Sequence, residues 1–402
     1  MPRIVFASDS HLNKHYARMT PDQLAERRGQ LRKAWQQTVD FALAQRADVY
    51  IHGGDLFDGP NPRAAELTWT AGQFQRLADG GVRSILIGGN HDTPKSRMVG
   101  ATPQRLFDAV RLAEVFTDPT RVTWWVGDVD GTRLAVGGLP PDPRLDRDAD
   151  PLAALVEPVQ PPEADCALLV THYAVEGTLH PQAEEPVIRK ASIAALAGVV
   201  DYLLVGHIHV AKERDVGGVK VVSPGPTERL SFGELDLRCG FVTMTVSGRR
   251  PCRVATKHVH VDPQPMRRET VRATDVPADA PTDWLVECVR AWSAPDQILQ
   301  VRLEGPLPRP AYQALRFLEV WQVGNDLNFY FDLDRHLLTI QPDDPGELAF
   351  VGGDRASPRA EIARVADGFL RSAATDDERA LVEAARALVL EQYGGGEMEE
   401  EA

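Results

Sequence analysis

The chain has 402 residues, of which 43% are hydrophobic, and a formal net charge of -14 at pH 7. This length allows two or three domains with a substantial buried core. The acidic charge excludes a protein that coats nucleic acid by positive charge alone. The acidic charge is still compatible with a nuclease, because bound metal ions supply positive charge where the phosphate lies.

The N-terminal region predicts strands that alternate with helices. One amphipathic helix is predicted from Pro21, after the N-cap Thr20, to about Arg46, and a second from about Arg63 to Asp79. This alternation predicts parallel strand pairing through right-handed crossovers. The predicted strands of this region cover residues 3–8, 48–52 and 82–87.

The pattern changes after Asp92. A short helix is predicted near 102–110, Asp130-Gly131 predicts a β-hairpin, and 139–164 predict a surface loop with room for one short helix. The first domain, 1–262, is therefore expected to be α/β: a two-layered mixed β-sandwich flanked by helices. Its later strands are predicted over 121–127, 133–138, 167–171 and 202–205 and, as antiparallel strands, over 219–223, 241–246 and 253–261.

The remaining residues predict smaller parts. A linker is predicted at Asp262-Pro263-Gln264-Pro265, followed by a small α+β cap domain over 263–350. A helical segment is predicted over 356–393, and a disordered acidic tail over 394–402. The predicted elements are strands over 269–274 and 298–303 and helices over 284–291, 309–319, 358–373 and 376–392.

The sequence also predicts the compartment. None of the four cysteines belongs to a C-x-x-C pair, which favours small core residues in a reducing compartment. The first apolar run ends before Asp9 and is too short for a signal peptide. The most apolar later stretch, 191–206, is interrupted by Asp201 and is too short to span a bilayer. We therefore expect a soluble cytoplasmic protein with no membrane partner.

Polar side chains able to bind metal or move protons follow five of the predicted strands. Gly88-Gly89 allows the chain to turn sharply at one of these strand ends. Because ligands bind at the carboxyl edge of parallel strands, these side chains are expected to converge there. The candidate metal ligands are Asp9, His11, Asp55, Asn90, His172, His207 and His209.

The chemistry of these side chains favours two divalent metal ions. Oxygen donors mixed with imidazoles suit Mn²⁺, Fe²⁺ or Zn²⁺ rather than Ca²⁺. So many ligands exceed what one catalytic ion with open positions needs. Two ions about 4 Å apart can clamp the attacking and leaving oxygens of a phosphoryl transfer and activate a bridging water. The predicted division places Asp9, His11, Asp55 and His209 around one ion and Asp55, Asn90, His172 and His207 around the other, with Asp55 as the bridge.

His91 and Asp92 are the candidate catalytic residues. His91 is expected to orient the scissile phosphate or protonate the leaving oxygen, and Asp92 to orient His91. Singly, such residues have ordinary structural explanations, because an Asp at a strand end is commonly a cap or turn former. A single histidine such as His172 is more often a hydrogen-bonded structural residue, and His52, inside a strand, is expected to be structural. The functional interpretation therefore rests on the five strand ends taken together.

The order of these motifs resembles the calcineurin-like metallophosphoesterase superfamily over about residues 1–260. Two further segments resemble the SbcD-type DNA repair nucleases, the family called meiotic recombination eleven in eukaryotes. The superfamily motifs are Asp9-Ser10-His11, Gly54-Asp55, Gly89-Asn90-His91-Asp92, His172 and Gly206-His207-Ile208-His209. The narrower segments are Gly54-Asp55-Leu56-Phe57-Asp58 and Pro224-Gly225-Pro226-Thr227-Glu228-Arg229, followed by Phe232-Gly233-Glu234.

This resemblance implies a Mn²⁺-dependent DNA exonuclease or endonuclease acting in double-strand-break repair, with the ligand division given above. It implies a homodimer joined through nuclease-domain helices, a cap domain that contacts DNA, and an SbcC-type coiled-coil ATPase bound by C-terminal helices. The helices between 358 and 392 are candidates for that contact, the alternative being that they pack on the cap. Three positions depart from the family pattern and bear on the balance of exonuclease and endonuclease activity. This chain has Asn13 where the family has glycine, Asp58 where it has histidine, and Pro226 where it has serine.

Two other functions are compatible with the same residues. One is a small-molecule phosphodiesterase or phosphatase with the same dinuclear centre, because fold and metals do not fix the substrate. The other is a non-catalytic scaffold that binds DNA and an ATPase. The residues after 262 favour DNA over a small phosphoester, and the complete ligand set together with His91 favours an enzyme.

Overall fold

The computed structural model describes residues 1–95, 101–177, 185–249, 252–341, 365–367, 369–371, 373 and 375–394. The chain forms two compact units. One comprises Met1–Gly305 and Ala314–Leu338, and the other comprises Pro306–Gln313 and Thr339–Ala402. The domain boundaries expected from the sequence stay predictions.

The first unit contains a β-sandwich of two six-stranded sheets, which confirms the predicted fold class. The first sheet consists of β1 (Arg3–Ala7), β2 (Val49–His52), β3 (Arg83–Ile87), β4 (Glu114–Phe116), β13 (Gly240–Ser247) and β14 (Arg253–His260). Its order is β14-β13-β1-β2-β3-β4. Strands β1 to β3 pair in parallel, as predicted, and β4 pairs in parallel with β3. Strands β13 and β14 add antiparallel strands beside β1.

The second sheet packs face to face with the first. It consists of β5 (Thr123–Val129), β6 (Thr132–Leu139), β7 (Cys166–Thr171), β10 (Tyr202–Val205), β11 (Lys212–Val216) and β12 (Val219–Ser223), in the order β11-β12-β10-β7-β6-β5. Apolar side chains such as Phe6 and Leu168 fill the space between the sheets. The predicted hairpin is confirmed, since Asp130 and Gly131 join β5 to β6 with φ of 46° and 75°. A separate pair is formed by β8 (Ala174–Val175) and β9 (Val187–Ile188).

Two long helices pack against the other face of the first sheet. Helix α1 (Pro21–Ala44) begins with a capping box, in which Thr20 and Gln23 bond each other's backbone N–H groups. It buries Trp35, whose indole N–H donates to the hydroxyl of Tyr50 at 2.9 Å. The further helices of this region are α2 (Ala64–Asp79), α3 (Arg105–Ala109) and α4 (Lys190–Ala194).

Strand β12 corrects one expectation. It was predicted as an antiparallel strand, but it pairs in parallel with β10 and is antiparallel only to β11. Strand β11 was not predicted, because its sequence Lys-Glu-Arg-Asp-Val is charged and lacks the apolar alternation of a half-buried strand. Strand β4 was also missed, because its three residues are too few to show a period.

After the sandwich, the chain continues into a three-stranded sheet with helices, of which Pro306–Gln313 and the residues from Thr339 onward belong to the second unit. The strands are β15 (Met266–Arg272), β16 (Ile298–Pro308) and β17 (Tyr330–Gln341), in that order. The helices are α5 (Pro281–Trp292), α6 (Arg309–Ala314) and α7 (Phe317–Leu327). The predicted single helix over 309–319 is therefore wrong. Strand β17 was missed because Asp332 and Asp334 interrupt its apolar residues; both pair across to β16, with Gln300 and Arg302.

In the second unit, the predicted helix over 376–392 corresponds to α8 (Asp376–Gly394). The predicted helix near 358–373 lies mostly outside the described residues, and the predicted tail over 394–402 lies outside them after Gly394. Among the helices that the structure describes, none is both long and apolar enough to cross a membrane.

Candidate metal centre

The structure brings all seven candidate ligands together at one end of the sandwich. Strands β1, β2 and β3 of the first sheet and β7 and β10 of the second end there, and each is followed by candidate side chains. Parallel strands deliver the loops at their carboxyl ends to the same edge, which is why the sites converge. The side chains fall into two groups that share Asp55.

The first group contains Asp9, His11, Asp55 and His209. The Nε2 atom of His11 lies 3.2 Å from Nε2 of His209 and 3.6 Å from Oδ2 of Asp55. The Nε2 atom of His209 lies 3.7 Å from Oδ1 of Asp9. Three nitrogen or oxygen donors from Asp9, His11 and His209 all lie within 4.8 Å of one another, a spacing suited to one small cation.

The second group contains Asp55, Asn90, His172 and His207. The Nε2 atom of His172 lies 3.2 Å from Oδ2 of Asp55 and 3.0 Å from Oδ1 of Asn90. The Nδ1 atom of His207 lies 2.9 Å from the same Asn90 oxygen. Oδ1 of Asp9 also lies 3.9 Å from Nε2 of His172, so Asp9 is close to both groups, whereas the division predicted from the sequence placed it in the first group alone. The role of these side chains as ligands stays a prediction.

The outer ring nitrogen of each histidine has its own acceptor. Such hydrogen bonds fix the tautomer and the orientation of a metal-binding imidazole. Three acceptors are carboxylates and the fourth is a backbone carbonyl. The pairs are His11 Nδ1 with Asp58 Oδ1 at 3.1 Å, His209 Nδ1 with Glu234 Oε1 at 2.7 Å, His207 Nε2 with Glu185 Oε2 at 2.9 Å, and His172 Nδ1 with the oxygen of Gly53 at 2.7 Å.

Sequence reasoning did not assign these carboxylates to the site. Glu185 follows no strand and belongs to no motif, so nothing in the sequence marked it. Glu234 lies in the Phe232-Gly233-Glu234 segment, which carried the family resemblance without a stated role. Asp58 bonds both His11 and the amine of Lys14, the latter at 2.8 Å. The hydrogen bonds to His11 and Lys14 keep the pKa of Asp58 below its usual value, although burial raises it.

The site loops are strained. Among the residues that the structure describes, nine other than glycine have positive φ, and five of these are candidate ligands: Asp9, His11, Asp55, His207 and His209. Such conformations cost of order 1–3 kcal/mol each and concentrate at functional sites, where the surrounding structure holds them. Two glycines make the approach of the loops possible. A Cβ atom on Gly89 would collide with Asp55, and one on Gly54, with φ of +100°, would collide with His172.

The electrostatics favour a positive charge inside this cluster. Asp9 and Asp55 are 0% and 1% exposed. Burial raises the pKa of Asp55, but His172 and His11 outweigh burial and hold that pKa well below its usual range. Burial lowers the pKa of His172, but the carboxylates of Asp55 and Asp9 raise it to about 9. By contrast, burial lowers the pKa of His52 to about 3, as expected for a structural histidine in a strand.

The donor set fits divalent cations. It combines carboxylate and amide oxygens with imidazole nitrogens, the ligands that suit Mn²⁺, Fe²⁺ and Zn²⁺. The buried carboxylate charge requires compensation, and the imidazole nitrogens that face the cluster are oriented by hydrogen bonds on their far side. A cation can therefore replace the protons that the histidines would otherwise hold.

His91 lies beside the cluster and is open to solvent. Its side chain is 43% exposed, and its ring meets that of His11 edge-on with centroids 4.7 Å apart. Its Nδ1 atom lies 3.8 Å from Oδ1 of Asp58, and its backbone N–H donates to Asp55 at 2.9 Å. Burial lowers the pKa of His91. The ring can therefore contact a group that approaches from solvent.

Asp92 corrects an expectation. Its carboxylate accepts from the backbone N–H groups of Gly89 and Phe57, at 2.7 and 3.1 Å, and from the amide of Gln104. None of its hydrogen bonds among the described residues is with His91. Burial, followed by the charge of Asp55, raises the pKa of Asp92 to about 7. Asp92 therefore holds two site loops together and does not orient the His91 ring.

A cleft of about 500 Å³ opens beside the second group. Asn90, His172 and His207 form part of its lining, and Lys95 and Arg147 add two cationic side chains. A neighbouring cleft of about 470 Å³ is lined in part by Lys95, Arg105 and Arg144. Asp142 lines both clefts and pairs with Arg144 at 2.8 Å, and Glu185 lines the first cleft, so the walls carry charges of both signs. An anionic ligand can contact Lys95, Arg105 and Arg147 there.

Comparisons with known proteins agree with this geometry. The model of a family described as calcineurin-like phosphoesterase matches residues 2–211, which is about half of the chain. The archaeal relatives share one description, DNA double-strand break repair protein Mre11. The protein of Haloferax volcanii is 30% identical over 239 residues, which are 59% of this chain and 48% of the relative. Those of Aeropyrum pernix and Sulfurisphaera tokodaii are each 24% identical, over 62% and 55% of this chain and 59% and 52% of the relatives.

The chain spans about half the length of these curated relatives. The family match covers β1 to β10 and contains every candidate ligand. It confirms the predicted enzyme class, a metal-dependent phosphoesterase. The chain belongs to the calcineurin-like phosphoesterase family.

Proposed function

We propose that this chain is a metal-dependent DNA nuclease that acts in double-strand-break repair. The observation that carries the proposal is the pair of donor groups that share Asp55, with the exposed His91 beside them. The relatives described as DNA double-strand break repair proteins support DNA as the substrate. The family uses a dinuclear divalent metal centre, and we propose Mn²⁺ as the metal because the donors are oxygen and imidazole nitrogen.

We assign the ligands as the sequence predicted: Asp9, His11, Asp55 and His209 for one ion, and Asp55, Asn90, His172 and His207 for the other. When bound, the two ions supply the positive charge and Lewis acidity that activate a water for attack on phosphorus. His91 contributes separately, because its exposed ring lies at the edge of the cluster. It orients the scissile phosphate or gives a proton to the leaving oxygen, which is general acid catalysis.

DNA is the favoured substrate class for two reasons. The clefts beside the cluster carry Lys95, Arg105 and Arg147, which suit phosphates on either side of the scissile bond. The chain also continues past the nuclease domain, proposed as 1–262, into the α+β elements β15 to β17, proposed as a DNA-contacting cap domain over 263–350. A small phosphoester would not need such an additional domain.

The partners are proposed on the same basis. A homodimer and an SbcC-type coiled-coil ATPase follow from the family resemblance of the motifs. Helix α8 supports a partner contact, because it exposes the apolar side chains of Leu381, Leu388 and Val389, which are 71%, 62% and 42% exposed. Exposed leucines on a helix are typical of a face that another helix covers.

The test is a cleavage assay with Mn²⁺ on three substrates: linear duplex DNA, a hairpin-ended duplex and a small chromogenic phosphodiester. Asp55→Ala is the negative control, because Asp55 serves both donor groups. Metal-dependent shortening of DNA that disappears in Asp55→Ala would support the proposal. Turnover of the small phosphodiester with intact DNA would assign the chain as a small-molecule phosphodiesterase. Absence of turnover on all three, in protein shown to contain metal, would favour a non-catalytic scaffold.

A further inference from the structure

A second cluster of metal-binding side chains lies at the opposite edge of the sandwich. Cys166 is the first residue of β7, Asp201 directly precedes β10, and Cys252 directly precedes β14. The candidate metal centre follows the carboxyl ends of β7 and β10, so this cluster lies at their amino ends. A strand of six residues such as β7 spans roughly 17 Å, which separates the two places.

The three side chains converge. Both Sγ atoms and a carboxylate oxygen of Asp201 lie within 4.8 Å of one another. Cys166 is fully buried, while Asp201 and Cys252 are partly buried. Both cysteines are thiols. The Asp201 carboxylate is fixed, because its Oδ2 atom accepts from the backbone N–H of Ala167 at 2.8 Å. The groups that meet here come from three separate segments of the chain.

The chemistry of this cluster is that of a cation site. Two thiols and a carboxylate would repel one another once the thiols ionise, and a divalent cation removes that repulsion. Sulfur ligands at about 2.3 Å from Zn²⁺ in tetrahedral geometry are about 3.8 Å apart, which is compatible with three ligand atoms that all lie within 4.8 Å of one another. Thiolates select Zn²⁺ and other soft cations, whereas the donors at the other edge are carboxylate and amide oxygens and imidazole nitrogens, with no sulfur among them.

We propose that Cys166, Cys252 and Asp201 form a site for a thiophilic divalent cation of the Zn²⁺ class, distinct from the phosphoesterase centre. Three protein ligands leave a fourth position for water. The cation links the second sheet, through β7 and β10, to the connection between β13 and β14 of the first sheet. Its role is to hold the two layers of the sandwich together at the edge away from catalysis.

The test is a titration of the full chain, freed of metal by chelation and then saturated with Mn²⁺, with Cd²⁺ as the probe. Thiolate-to-cadmium charge transfer gives an ultraviolet absorption band that oxygen and nitrogen ligands do not give. We expect the band to saturate at about one equivalent in the unaltered protein, and to be lost in Cys252→Ser. It should persist in the matched control Cys288→Ser, because Cys288 lies in helix α5 and not in the cluster, and in Asp55→Ala, which alters the other centre.

A second readout does not depend on the probe. All variants are compared in the Asp55→Ala background, which disrupts the other centre. There, added Zn²⁺ should raise the thermal unfolding midpoint of Asp55→Ala itself and of its Cys288→Ser derivative, because a ligand that binds the folded state stabilises it. The rise should be absent in Cys252→Ser and reduced in Asp201→Asn. The proposal would be overturned by the absence of a charge-transfer band, by a band that Cys252→Ser retains, or by a disulfide between Cys166 and Cys252 in protein purified without reductant.

Discussion

Substitution of Glu234, whose carboxylate bonds the outer ring nitrogen of His209, directly tests how the proposed metal centre is organised. Glu234 accepts from His209 Nδ1 at 2.7 Å, and its second oxygen accepts from the backbone N–H of Leu230 at 2.5 Å. Burial raises the pKa of Glu234, but the hydrogen bond and charge of His209 lower it by more, so the pKa lies below its usual value. The carboxylate is therefore ionised near neutral pH. Glu234→Gln keeps the size of the side chain and removes its charge.

The expected loss follows from the kind of bond removed. A hydrogen bond to a charged group contributes roughly 1.5–3 kcal/mol and a neutral one roughly 0.5–1.5 kcal/mol, so the substitution should remove about 1–2 kcal/mol. Loss of such an outer partner of a metal-binding histidine lowers metal affinity about 10- to 100-fold. Because about 1.4 kcal/mol corresponds to a factor of ten, both estimates agree on a roughly tenfold loss of metal affinity.

The assay is cleavage rate against Mn²⁺ concentration, with bound metal measured in parallel. Glu234→Gln should shift the Mn²⁺ requirement upward while the rate at saturating Mn²⁺ stays close to that of the unaltered protein. Glu319→Gln is the matched control, because Glu319 lies at the surface of α7 and pairs with Arg316. An unchanged Mn²⁺ requirement, or an equal loss in the control, would refute the assignment of Glu234 as the residue that positions His209.

Three further predictions address other parts of the molecule. His91→Ala should keep its metal and lose about 10²- to 10⁴-fold in cleavage rate, the contribution of a proton-transfer group. Gly89→Ala should lose about 10²-fold or more, because its Cβ would displace Asp55 and small misplacements are costly. Burial raises the pKa of Glu228 above 4.5, so its contribution to stability is greatest below pH 4.5 and is lost as pH rises through the raised pKa. Urea unfolding of Glu228→Gln should lack this pH-dependent loss.

Two of these predictions have a matched control variant. His260→Ala removes an exposed histidine of β14, outside the site and the proposed cap, and should leave cleavage unchanged. Gly72→Ala adds a Cβ that meets nothing within 4 Å in helix α2 and should leave activity intact. Full cleavage by His91→Ala, or by Gly89→Ala, would contradict the roles assigned to those positions. For Glu228, a difference between variant and unaltered protein that is constant from pH 4 to 8 would contradict the pKa argument.

Much of the sandwich could be predicted because its sequence signals are local. Strands β1, β2, β3, β7 and β10 are short apolar runs that end in glycine or polar residues, and the turn at Asp130-Gly131 needs only two residues to recognise. The strands that were missed lack such signals. Strand β11 is charged because it lies at the edge of its sheet, and β17 carries Asp332 and Asp334 because they pair with polar side chains of β16.

The candidate ligands could be predicted for the same reason, since each directly follows a recognisable strand. Their outer partners could not, because those contacts join residues far apart in the chain. Glu185 reaches His207 from the segment before β9, and Glu234 reaches His209 from a turn after β12. The Asp92 assignment was wrong for a related reason. Adjacent residues suggested a pair, but the Asp92 carboxylate points to Gly89 and Phe57 inside the protein.

The two ends of the sandwich differ in how their geometry is maintained. At the carboxyl ends of the strands, two features oppose folding. One is the positive φ of Asp9, His11 and Asp55, and the other is the repulsion between the buried carboxylates, which bound cations or protons offset. The stability required to hold such loops must come from the rest of the fold. The sheet core and the capped helix α1 supply part of it, and a cation held by Cys166 and Cys252 at the opposite edge would add to it without altering the catalytic donors.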